Sequence, residues 1–62
     1  MKKVNLWESE YTKVIYEFDA KTDVVPQFGG WNLIGTILKE DSEPLTTYHN
    51  REEMEKRLHW ND

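Results

Sequence analysis

The stretch Phe28–Leu38, FGGWNLIGTIL, is the longest apolar-rich run in the chain; it holds all three glycines and carries no charge. A short run of this kind, with β-branched residues after a Gly-Gly start and polar segments on both sides, reads as a strand rather than a helix. Trp31, Leu33, Gly35 and Ile37 alternate with Asn32, Ile34, Thr36 and Leu38. Both sets contain apolar groups, so the reading is a central strand with Trp31 as its core anchor and a bulge or close backbone approach at Gly35. Glu40-Asp41-Ser42-Glu43-Pro44 follows as a charged turn. It is expected to fold the chain back into a short strand at Leu45–Tyr48, giving a hairpin from Trp31 to Tyr48.

Upstream, Tyr11–Phe18 also alternates: Thr12, Val14, Tyr16 and Phe18 against Tyr11, Lys13, Ile15 and Glu17. Its aromatic and β-branched content predicts a second strand. Lys3–Trp7 alternates weakly and is expected to form a short edge strand ended by Glu8-Ser9-Glu10. Between Asp19 and Gly30 lies a long polar connection in which Val24 and Val25 extend pairing only briefly before Pro26.

Downstream, residues 50–60 carry helix-end signals. Asn50 is placed as N-cap and Glu53 completes a capping-box pattern, with His49 and Met54 in position for a staple. Acidic residues Glu52, Glu53 and Glu55 precede basic Lys56, Arg57 and His59, as the helix dipole favours. Met54 and Leu58 form a narrow apolar stripe, suited to a helix laid across one face of a small sheet. The expected fold is α+β: a three- to four-stranded antiparallel β-meander with one C-terminal α-helix on a face, (β)βββα, in one domain over residues 1–62.

Sixty-two residues without a cysteine leave a small core with neither disulfide nor thiolate metal site. Asn5, Glu8 and Glu10 interrupt any apolar signal core, and no run reaches a membrane span, so the expected setting is cytoplasmic with no membrane partner. Twelve acidic against eight basic residues give a net charge of −4, which opposes nonspecific phosphate binding. His49 and His59 stand about 15 Å apart along a helix, too far to share a metal. The acidic turn lacks the Ca²⁺-loop pattern, and Gly29-Gly30 lacks the rest of a phosphate loop. Ser9 and Ser42 have no nucleophile context. The expectation is therefore a protein without catalytic residues, cofactor or metal.

Trp31-Asn-Leu-Ile-Gly35, followed by a turn, a short strand and a helix opening with Glu52-Glu53, slightly resembles the WGR-type DNA-break-binding domain over roughly the last half of the chain. That family's Gly and Arg after the Trp are Asn32 and Leu33 here, so no function is carried over. Three Trp, three Tyr and two Phe exceed what so small a core can bury, and half-buried Trp and Tyr favour interfaces. The expected role is a small acidic protein-binding module, an inhibitor or regulator of a host protein encoded by a phage or mobile element, with acidic turns that mimic nucleic acid. Its expected contact residues are Trp7, Asp19, Asp23, Phe28, Glu40, Asp41, Glu43 and Trp60. The partner is an unidentified protein, or a second copy in a homodimer. The alternative is a nucleic-acid-binding module using Arg51, Lys56 and Arg57 of the helix with strand aromatics.

Overall fold

A computed structural model of the chain describes residues 1–22 and 29–58. Four strands and one helix follow in the order β1 (Lys2–Ser9), β2 (Ile15–Asp19), β3 (Trp31–Lys39), β4 (Thr47–Tyr48) and α1 (Arg51–Leu58). They form a four-stranded antiparallel sheet with a C-terminal helix, the α+β class read from the sequence. The order across the sheet is β3-β1-β2-β4, so only β1 and β2 are neighbours in both chain and sheet. Trp31–Tyr48 is thus not a hairpin: its two strands occupy opposite edges. The interior strands are β1 and β2, and the uncharged run of β3 lies at an edge.

Two lysines hold the connection between these edges. Lys2 and Lys39 are paired residues of β1 and β3. Lys2 Nζ donates to the carbonyl oxygens of Glu43 (2.6 Å) and Asp41 (3.4 Å), and Lys39 Nζ to that of Pro44 (2.9 Å). These charge-assisted bonds hold segment 40–46 as it carries the chain from β3 to β4 at the far edge. The charged turn that reads locally as a hairpin loop is a crossover.

β1 and β2 join through a turn built on Ser9. Its Oγ accepts from the Tyr11 and Thr12 amides (3.3 and 3.4 Å), its backbone closes with Val14 and Lys13, and Lys13 takes a positive φ of 65°. Residues 11–14 therefore belong to the turn, and β2 begins at Ile15 rather than Tyr11. β1 runs two residues past Trp7, through Glu8 to its last residue Ser9, before the turn begins at Glu10. Along β3, Leu6 pairs with Gly35 but Trp7 with Leu33, leaving Ile34 as the extra residue of a bulge.

Helix α1 starts where its capping signals lie. Asn50 Oδ1 accepts from Glu53 N–H (2.8 Å) and Asn50 O from Met54 N–H (3.1 Å). Glu53 reaches back to His49 rather than to Asn50: its Oε2 accepts from the His49 amide (2.5 Å) and lies 3.1 Å from Nδ1. His49 is thereby held by a carboxylate with its ring exposed, while Met54 is buried with Leu6, Ile15 and Tyr48; Ile34, Ile37 and Leu58 pack around this cluster. The narrow stripe Met54–Leu58 covers one face of the sheet, as its spacing predicts. The helix is further docked by Arg51, whose Nε and Nη2 lie 3.1 and 3.2 Å from the two carboxylate oxygens of Glu8, and by Arg57, 5.2 Å above the Tyr48 ring.

Candidate interaction surface

Successive side chains of a strand point to opposite faces, and residues paired across strands share a face. Val4, Leu6, Glu8, Ile15 and Glu17 face α1 and are buried. The other face is therefore built from Lys3, Asn5 and Trp7 of β1, Tyr16 and Phe18 of β2, and Trp31, Leu33, Thr36 and Leu38 of β3, with the bulge at Ile34 placing Leu33 and Leu38 on the same side. Among these residues Lys3 carries the only charge and none is acidic.

The centre of this face is aromatic. The Trp31 ring sits 5.4 Å from Tyr16 and 6.5 Å from Phe18 in tilted arrangements. These are separations at which the ring edge of one residue meets the π-face of another. All four aromatic residues are half-buried. Trp31 is thus the anchor of the face without a helix and not of the helix-side core. Trp7 Nε1 is buried and, among the described residues, has no hydrogen-bond partner. Asn5 Oδ1 accepts from the Thr36 hydroxyl at 2.9 Å, tying β1 to β3 on this face. Leu33 and Leu38 at its margin remain 52% and 63% exposed.

The buried charged groups Glu8, Glu17 and Lys39 lie on the helix side and are internally paired. Glu17 Oε1 accepts from Lys39 Nζ and from the Thr46 amide, both at 2.8 Å, and Oε2 from the Tyr48 hydroxyl at 2.6 Å. Burial, then the bond to Glu17, raises the Tyr48 pKa well above the ordinary phenol value. Every oxygen of Glu17 is engaged and the group is shut off from solvent, which makes this a brace between β2, β3 and β4.

The sequence-derived contact residues scatter. Trp7 is on the aromatic face. Asp19, at the end of β2, accepts from the Lys21 amide at 2.8 Å. Asp19 and Asp41 line a hollow of about 520 Å³ together with Lys2, Lys3 and Lys21. The Met1 ammonium stands 3.6 Å from Asp41. These carboxylates are thus interleaved with cations. Glu40 and Glu43 bond each other: the Glu40 amide donates to Glu43 Oε1 (3.2 Å) and the Glu43 amide to Glu40 O (3.0 Å). Asp23, Phe28, Trp60 and His59 lie outside the described residues, as do Val24 and Val25. What the structure brings together is instead Trp7, Tyr16, Phe18 and Trp31. The shared parity of Tyr16 and Phe18 was the available signal.

Among the described residues no group of three or more His, Asp or Glu could hold a metal ion, and no helix is long and apolar enough to cross a membrane. Compared with protein-family models, with curated proteins and with solved structures, the chain matches none.

Proposed function

We propose that this chain is a non-enzymatic protein-binding module whose aromatic sheet face docks a partner protein. The observation that carries the reading is the segregation of charge: in a chain of net charge −4, the described residues of the sheet face opposite the helix include no carboxylate and gather Trp7, Tyr16, Phe18 and Trp31 with exposed leucines at the margin. An aromatic centre with a polar rim is the anatomy of an interface patch. The nucleic-acid alternative draws less support, because each helical cation it relies on has an intramolecular partner: Arg51 with Glu8, Lys56 with Glu52 at 3.4 Å, and Arg57 with the Tyr48 ring. An inhibitory role on a host protein is one form this binding takes. Immobilised chain is expected to retain one protein in stoichiometric amount from a lysate of its source cells. Tyr16→Ala and Lys3→Glu variants are expected to lose it, and a Glu40→Gln/Glu43→Gln variant to keep it. Recovery of nucleic acid alone, or equal retention by all variants, contradicts the proposal.

A further inference from the structure

Three of the chain's eight basic residues gather at one end of the sheet, although the chain as a whole is acidic. Lys2 and Lys3 open β1, and the Ala20 amide donates to the Lys3 carbonyl oxygen at 3.0 Å, which brings the turn after β2 alongside them. Asp19 Oδ1 accepts from the Lys21 amide at 2.8 Å and fixes that turn. With Leu38 and Asp41 these lysines line the hollow of about 520 Å³. Its size falls in the range of about 300–1,000 Å³ usual for small-molecule sites.

The cations of the hollow differ from those elsewhere. Lys39, Arg51 and Lys56 each face a carboxylate. Lys2 donates instead to two neutral carbonyl oxygens, which leave its charge in place. Lys3 and Lys21 are exposed and, among the described residues, meet no carboxylate at ion-pair distance. Counting the Met1 ammonium beside Asp41, four cations line the hollow against two carboxylates, Asp19 and Asp41. The excess is two positive charges in a chain of net charge −4.

We infer that this hollow binds the phosphate group of a small molecule. The excess charge matches a phosphate dianion, for which lysine ammonium groups serve as point charges. A carboxylate leaves half of that excess unmatched. A single phosphate leaves room in the hollow, and Leu38, 63% exposed, gives the rest of the molecule an apolar wall. A nucleic-acid backbone fits less well, because it needs cations in series, and Glu40 and Glu43 stand in the turn around Asp41. The site is independent of partner capture by the aromatic face, because it is read with small anions alone.

The test follows backbone amide chemical shifts of the full chain during titration with inorganic phosphate, at slightly alkaline pH and constant ionic strength. Saturable changes are expected at Lys2, Lys3, Lys21 and Thr22, with none at Lys13 or Lys56, which are also exposed. Acetate is expected to bind at least about tenfold more weakly. Phenyl phosphate is expected to bind more tightly than inorganic phosphate, as its ring meets Leu38. Lys3→Gln/Lys21→Gln is expected to weaken phosphate binding more than about tenfold, with circular dichroism unchanged. Shifts that fail to saturate, that appear equally at Lys13 and Lys56, or that persist in the double variant overturn the inference. Acetate binding as tightly as phosphate, or phenyl phosphate binding no more tightly, overturns it as well.

Discussion

Lys39 closes β3 and Glu17 sits in the middle of β2, yet their side chains meet across the intervening β1, with Nζ 2.8 Å from Oε1. Both side chains are nearly excluded from solvent, at 9% and 0% exposure. Removing one partner leaves the other charge buried and uncompensated, a loss of about 3–5 kcal/mol. That is comparable with the whole stability of a domain this small, at roughly 0.05–0.15 kcal/mol per residue. Lys39→Met is therefore expected to leave the chain largely unfolded in urea unfolding measurements. Lys39→Met/Glu17→Gln should recover part of the loss, because the remaining amide is neutral.

Tyr48 donates to the same carboxylate, and its raised pKa has a sign. A proton held more tightly in the folded than in the unfolded state contributes stability that is fully present below the unfolded value of 10.0 and lost as pH climbs toward the folded pKa. The native chain is expected to lose stability progressively above pH 10, beyond what its other titrating groups account for. Tyr48→Phe should flatten that alkaline decline while lowering stability near neutrality by about 1–3 kcal/mol, since Glu17 Oε2 loses its donor. Thermal melts across the alkaline range check both.

At the helix start the sign is opposite. Glu53 is held below the ordinary carboxyl value of 4.5, first by the His49 amide that donates to it. Its contribution is present above the unfolded pKa and fades as pH falls through the lower folded value. Melting temperature is expected to be less acid-sensitive in Glu53→Gln than in the native chain below pH 4.5. Asn50→Ala should cost about 1 kcal/mol at all pH values, because it removes the acceptor for the Glu53 amide.

Gly30 adopts a φ of +95°, its carbonyl accepts from the Glu10 amide at 2.7 Å, and a Cβ there would run into the Tyr11 ring. Tyr11 is 82% exposed, so the ring can swing aside. What remains is backbone strain, expected to make Gly30→Ala about 1 kcal/mol less stable. Tyr11→Ala/Gly30→Ala should be nearly as destabilised as Gly30→Ala alone; full rescue would place the cost in the ring instead.

Local signals in the chain proved reliable where structure is set by neighbours in sequence. The capping residue Asn50, the Met54–Leu58 stripe, the alternation of Ile15 to Phe18 and the irregularity at Gly35 all concern contacts within a few positions. The strand order was not legible, because the contacts that accompany it, Lys2 with the Glu43 carbonyl oxygen and Lys39 with the Glu17 carboxylate, join residues 41 and 22 positions apart and leave no local signal. For the same reason β1 looked like a minor edge: Glu8 breaks its apolar pattern unless Arg51, far along the chain, is known to pair with it. The aromatic face was half legible. Tyr16 and Phe18 share parity, but joining them to Trp7 and Trp31 requires β1 to lie between β2 and β3. Counting aromatics against core size identified a surplus; it did not say which residues form the surplus.

The central claim is that binding takes place on the sheet face without a helix. The most direct measurement is backbone amide exchange of the chain, free and saturated with the protein it retains, read residue by residue. The account predicts added protection, or chemical-shift change, at Asn5, Trp7, Tyr16, Phe18 and Thr36, with residues 51–58 of the helix and the 40–43 turn unaffected. Changes confined to the helix and the acidic turn would contradict it.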